Sequence, residues 1–252
     1  MSGAFDLRKL PFLDVLLLVK LRDKEISGEA VSGNIRSMAE LVLEGTAELS
    51  IKEMRLQILV LDLCADRSPM EREVLTESLR GIPGATLMEP GSFGSRREEA
   101  AFIFSKVVQL PFSILVELPT VDAWSARNVL ELLRPIVNGA DFSVGQRTFQ
   151  VPIISLIKLK ALNGYFWLRF GYPVGDWTSE FLSWRKWAVS AVEYQSLNAQ
   201  GVGFLAELKN HCLDKGFRTR PVQLVGLSSE SELEFLRGAQ ILREVRGIRS
   251  TI

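Results

Sequence analysis

The residues that could do chemistry in this chain fall at one kind of place. Asp62, Asp66, Glu117 and Asp122 each lie at, or a few positions past, the end of a short apolar run, and Arg147 and Asp23 stand in the same relation to two others. Carboxylates delivered together by strand ends make a ligand site. Delivered separately they are ordinary polar loop residues, since Asp is a common turn former. Arg96 and Arg97 follow the stretch GSFGS at a helix start, where backbone amides and basic side chains can take a phosphate. The same Gly-x-x-Gly spacing is also common in plain turns. Nucleophilic hydrolysis through a Ser/His/Asp or Cys/His set would have to use His211, the sole histidine. Its neighbour Cys212 cannot face it if both share a helix.

The elements that must position these residues can be read from periodicity. Strands are expected at Asp14–Val19, Leu56–Leu61, Ala85–Met88, Ser113–Val116, Phe142–Gly145 and Thr219–Val225. Most are continuously apolar, as strands covered on both faces are. Helices fill the gaps. Ser68-Pro69-Met70-Glu71 and Ser95-Arg96-Arg97-Glu98 are capping boxes, the first opening a helix that Gly81 can stop in a left-handed turn. Ala126, Val129, Leu130, Leu133 and Val137 form a stripe stopped at Asn138-Gly139. Another helix is expected from Asn34 to about Glu48, and a last one behind the Ser229 cap, with Phe235, Ala239, Leu242 and Val245 on one face. The aromatic-rich segment from Gln150 to Gln200 reads as irregular. Repeated strand–helix–strand units imply an α/β fold, a mostly parallel sheet with helices on both faces. Ligands of such sheets bind beyond the carboxyl ends of the strands.

Composition narrows the function. The 252 residues carry 30 basic and 30 acidic side chains and are 47 % hydrophobic. That balance argues against a nucleic-acid partner, whose proteins are normally basic. Two distant cysteines make neither a disulfide framework nor a zinc cluster, and a cytoplasmic setting is expected. MSGAFDLRKLPF carries charges where a signal peptide is apolar, and no apolar run approaches the ~20 residues of a membrane span.

The order of the marks along residues 12–225 resembles the family-2 glycosyltransferases of GT-A fold, especially the soluble domains related to dolichol-phosphate mannose synthases. Asp62 and Asp66 stand in VLDLCADRS where the family has Val-Asp-Asp-Gly-Ser-x-Asp. Gly139-Ala140-Asp141-Phe142-Ser143-Val144-Gly145-Gln146-Arg147 is similar to its gly-ala-Asp…val-gly-ser-Arg. Asp176-Trp177-Thr178-Ser179-Glu180-Phe181 is similar to Asp-x-Thr-Ser-Gly-Phe. The resemblance implies one domain over residues 1–252, with a nucleotide-binding half (1–149) and an acceptor half with the C-terminal helix (150–252). It implies sugar transfer from a nucleoside diphosphate sugar to a polyprenyl phosphate or a glycan hydroxyl. Asp62, Asp66, Asp23 and Arg96 would then face the nucleotide, Glu117 and Asp122 would hold magnesium or manganese, Arg147 would contact phosphates and Asp176 would act as base. For a lipid phosphate acceptor, IISLIKLKALNGYFWLRFGY could rest on a membrane surface; the favoured reading of its aromatics is packed core.

The departures imply an alternative. The first Asp of the Asp-Asp pair is Leu61, the second acid of the metal motif is Pro119, and the acceptor-side Gly is Glu180. A chain so altered can be a catalytically degenerate relative that serves as a binding or regulatory subunit.

Overall fold

Strand β1 (Leu13–Leu21) is apolar along nearly its whole length because it lies inside a sheet covered on both sides. The computed structural model describes residues 7, 10–21, 27–64, 66–89, 93–119, 125–147, 153–172, 174–199 and 202–225. Around β1 the described residues form a seven-stranded sheet in the order β3-β2-β1-β4-β6-β5-β7. The other strands are β2 (Met54–Asp62), β3 (Ala85–Met88), β4 (Ile114–Leu118), β5 (Phe142–Arg147), β6 (Leu182–Arg185) and β7 (Thr219–Leu224). Strands β3, β2, β1 and β4 run parallel, as do β5 and β7. Only β6 is antiparallel to its neighbours, β4 and β5. The architecture is therefore the mostly parallel α/β sheet that the sequence implies. β6 is an addition to the expected strands, lying within the aromatic segment.

The helices divide between the two faces. α1 (Gly28–Glu44), α2 (Pro69–Arg80) and α4 (Ala126–Val137) cover one side through Val31, Ile35, Leu75, Leu79, Val129 and Leu133. α3 (Arg96–Val107), α5 (Ile153–Phe170), α6 (Lys186–Ala191) and α7 (Val202–Asp214) cover the other, through Ile103, Phe104, Phe166, Phe170, Ala188 and Leu208. Alternation along β1 feeds both cores: Leu13, Val15, Leu17 and Val19 enter the first, and Leu16 and Leu18 the second.

Local signals explain most of the helix ends. At α2 both halves of the capping box form: Ser68 Oγ accepts from the Glu71 amide at 3.3 Å, and the Glu71 carboxylate accepts from the Ser68 amide at 2.6 Å. At α3 Ser95 Oγ accepts from the Glu98 amide, but Glu98 takes the amide of Gly94 rather than that of Ser95. Gly81 does not adopt the expected left-handed turn. Its φ is −79°, and the left-handed residue is Gly84 (φ +75°), where an added Cβ would crowd the Leu56 carbonyl. α1 starts at Gly28 under a Ser27 cap, six residues before the expected start, and a 3₁₀ turn (Gly45–Leu49) follows it. The expected irregular stretch begins instead with α5, eighteen residues long. The C-terminal helix expected behind Ser229 lies outside the described residues.

Candidate functional site

Glu117 sits where β4 approaches its carboxyl end, and three adjacent strands fix its surroundings. In the sheet register Leu18 of β1 and Leu182 of β6 lie opposite Glu117. Two residues further along each neighbour, on the same face, stand Lys20 and Trp184. Lys20 Nζ donates to Glu117 Oε2 at 3.1 Å, and the Trp184 indole donates to Oε1 at 2.9 Å. Both carboxylate oxygens thus have partners. Glu99 on α3 comes within 3.8 Å of the same ammonium. Lys20, Glu99 and Glu117 keep 8 %, 7 % and 3 % of their exposure, so the triad is screened from water, with one ammonium facing two carboxylates. Tyr194 stacks on Phe104 with centroids 4.4 Å apart. Burial first, and the charge of Glu117 second, push its phenol well above the ordinary tyrosine range.

Asp62 has a separate environment. Alternation sends Glu117 to the face of Leu115 and Trp184, and Asp62 to the opposite face, with Ile58 and Val60. Arg67, five residues on, closes over Asp62. Its Nε lies 3.0 Å from Oδ2 and donates to Oδ1 at 3.2 Å, while the Cys64 amide also donates to Oδ1. Arg67 and Asp62 are both buried, whereas Asp66 at the loop tip is exposed. The structure therefore joins Asp62 to its own loop and does not join it to Glu117.

In the second half of the chain, Asp176 is buried and its Oδ1 accepts from the amide and hydroxyl of Thr178, at 3.1 and 3.0 Å. The turn it makes is clamped from below by Lys209 of α7. That fully buried ammonium donates to the carbonyls of Asp176, Trp177 and Ser179 at 3.0, 2.8 and 2.7 Å. Glu180, standing where the resemblance expects glycine, pairs with Arg96 at the start of α3. Arg147 closes β5, its backbone in register with Leu224. Asp23 and Asp122 lie outside the described residues.

Lys20, Arg96, Glu99, Glu117 and Glu180 line one crevice, walled by Phe104, Leu182 and α7. The free space between them is about 20 Å³, room for roughly one water, which needs ~10–15 Å³. The described residues do not fit a divalent cation. Magnesium and manganese want free oxygen donors, and here the oxygens of Glu117 accept from Lys20 and Trp184 while Pro119 follows two residues on. No cluster of three His, Cys, Asp or Glu suited to a metal occurs among the described residues.

Lys20, Glu99, Trp184 and Lys209 escaped the sequence reading. Lys20 had a signal, a charge closing the apolar run DVLLLVK. Lys209 had none, since its three carbonyls lie some thirty residues away on a loop. The aromatic segment divides by burial. Phe166, Phe170, Trp177, Phe181 and Trp184 are core, while Ile157, Trp167 and Leu168 of α5 are exposed at 60 %, 54 % and 81 %. No helix among the described residues is long and apolar enough to cross a membrane.

No protein-family profile matches the sequence. Solved structures do match its fold. The chain is similar over 95 % of its length to 76 % of a mycobacterial protein, with a TM-score of 0.60 and 12 % identity. It is similar to glucosyl-3-phosphoglycerate synthase from Mycobacterium tuberculosis in complex with Mn²⁺, UDP-glucose and phosphoglyceric acid, with a TM-score of 0.55, 12 % identity, and 95 % and 82 % of the two chains covered. A complex of that synthase with Mn²⁺ and UDP-glucose gives 0.56, 12 %, 95 % and 81 %. The likeness is one of fold. It makes this chain's sheet and flanking helices a GT-A-type architecture, with the crevice of Lys20 and Glu117 at the carboxyl ends of β1 and β4.

Proposed function

We propose that this chain is a catalytically degenerate relative of the nucleotide-sugar glycosyltransferases, a binding or regulatory module that does not carry out metal-assisted sugar transfer. One observation carries the reading: both oxygens of Glu117 are engaged, by Lys20 and Trp184, where the family resemblance expects a metal ligand. Transfer from a nucleoside diphosphate sugar leaves negative charge on the diphosphate, which a metal or basic groups must stabilise. The internal pairs Lys20–Glu117 and Arg96–Glu180 support a crevice whose two cations are already engaged by its own carboxylates.

The second reading is sugar transfer without metal, to a polyprenyl phosphate or a glycan hydroxyl, of the dolichol-phosphate mannose synthase kind. The two cations Lys20 and Arg96 in one crevice favour it. Arg147 would then contact the diphosphate, Asp62, Asp66 and Asp23 the nucleoside, and Asp176 would serve as base for a hydroxyl acceptor. The exposed Trp167 and Leu168 would serve a lipid acceptor by resting on a membrane surface.

Calorimetry with UDP, GDP and their sugars, each with manganese and with chelator, separates the readings. No binding at millimolar nucleotide is the expected result. Binding that chelator leaves intact and that Asp62→Ala weakens moves the conclusion to metal-free transfer. Binding that requires manganese overturns the first reading.

A further inference from the structure

We infer that the Lys20 ammonium is the resident cation of the crevice, holding the place between Glu99 and Glu117 that would otherwise take a divalent metal. The inference rests on the crevice being a former metal site of the GT-A architecture, and it is tested without nucleotide.

Three observations carry it. Lys20 reaches Glu117 at 3.1 Å and Glu99 at 3.8 Å, from a different strand and helix, so one positive charge bridges two carboxylates as a metal would. Each of the three is more than nine-tenths buried. Two carboxylates buried at such a place are destabilising unless cationic groups offset them, and Lys20 brings one positive charge to both. The third is the Tyr194 hydroxyl, buried with no partner among the described residues and close enough to Glu117 for that charge to act on it. Trp184 holds the carboxylate in place from the other side, so removing Lys20 leaves the acid oriented and the position open.

The exchange has a chemical consequence. A divalent ion keeps coordination positions for water and for phosphate oxygens. An ammonium offers only three protons, and here one is donated to Glu117 while Glu99 stands 3.8 Å from the same nitrogen. The crevice therefore carries enough charge to be stable and little to offer an incoming anion.

The experiment is thermal unfolding, with and without millimolar Mn²⁺, of the wild-type chain, Lys20→Met, Lys20→Gln and Lys20→Met/Glu117→Gln. Manganese should leave the wild-type Tm unchanged. It should raise the Tm of Lys20→Met by about 2–4 °C or more, the shift expected when an ion binds only the folded state. The double variant should not respond. Bound manganese measured by electron paramagnetic resonance reads the same exchange, and Lys20→Gln keeps the test alive should Lys20→Met fold poorly. Lys20 variants that take up no manganese make the pair a plain salt bridge and overturn the inference. So does a wild-type chain whose manganese is lost in Glu117→Gln, and that result would also sink the degenerate reading. Nucleotide binding by the wild type that needs no metal would sink the degenerate reading alone.

Discussion

The two faces of the sheet are built from different materials. Beneath α1, α2 and α4 the core among the described residues is mainly leucine, valine and isoleucine, with Phe181 its one aromatic. Beneath α3, α5, α6 and α7 it holds Phe104, Phe142, Phe166, Phe170, Trp177, Trp184 and Tyr194. The chemistry follows the materials. Aliphatic side chains bury area without polar atoms and tolerate repacking at similar volume. An aromatic core containing Trp and Tyr brings N–H and O–H groups that need partners. Lys20, Glu99, Glu117 and Lys209 all lie on the aromatic side, and the Trp184 indole is spent on Glu117. The aliphatic face supplies stability mostly of a replaceable kind, although Asp62 and Arg67 are buried together at its edge. The aromatic face fixes particular geometry around buried charge.

The comparison breaks most readily at Lys209. Lys209→Met removes the shared donor of three carbonyls at once, of which that of Asp176 keeps the Ser179 amide at 3.4 Å, and should cost about 4 kcal/mol, given ~1–3 kcal/mol for each buried group left unsatisfied. Urea denaturation reads the loss, and a cost below about 1 kcal/mol would show that the clamp is tolerated rather than needed. On the aliphatic face Leu17→Ala, at a fully buried position, should cost about 3 kcal/mol through transfer and cavity alone. Adding a volume-restoring substitution nearby should recover much of that loss, and no such repacking should rescue Lys209→Met. At the rim of the aliphatic side, Ser68→Ala opens the capping box of α2 and should cost about 1 kcal/mol.

The smallest effect belongs to His211 on the aromatic side. Burial, and after it the charge of Lys215, lower its pKa below the usual 6.5, while Glu193, Asp214 and Glu207 pull the other way. Its Nε2 is buried without a partner among the described residues. Because the folded chain resists protonating this ring, the unfolded chain binds the extra proton first. Stability should be level above pH 6.5 and decline as the pH falls below it. Unfolding measured between pH 7.5 and 5.5 should show that decline flatten in His211→Gln, and an unchanged slope would assign it elsewhere.

The same division marks what could be read from sequence. Continuous runs such as LQILVL can hardly be anything but covered strands, and Ser68-Pro69-x-Glu71 is a local signal satisfied locally. Local signals also mislead. Ser32-Gly33-Asn34 looks like a turn, yet it is interior to α1, whose start is set by the Ser27 cap and by burial of Val31. β6 was not legible because LSWR is four residues long with no alternation, and its place is decided by β4 and β5 on either side. α5 hid behind Gly164 and a composition typical of loops near ligands. As for the site, the position of Glu117 at a strand end was readable. Its partners were not, since Lys20 lies 97 residues before it and Trp184 67 after it. The orientation that separates Asp62 from Glu117 follows from strand parity, which requires the register first.

The antiparallel strand also governs the order in which this molecule can be made. β3, β2, β1 and β4 are all present once residue 118 has left the ribosome, but β4 gains its outer partner only when Leu182–Arg185 arrives. At about 5–20 residues per second that is a wait of several seconds. For that interval Ile114, Leu115 and Val116 present an unpaired apolar edge, the kind of template on which nascent chains associate with one another. The yield of folded protein should therefore depend on translation speed and chaperone supply more than on the stability of the finished sheet.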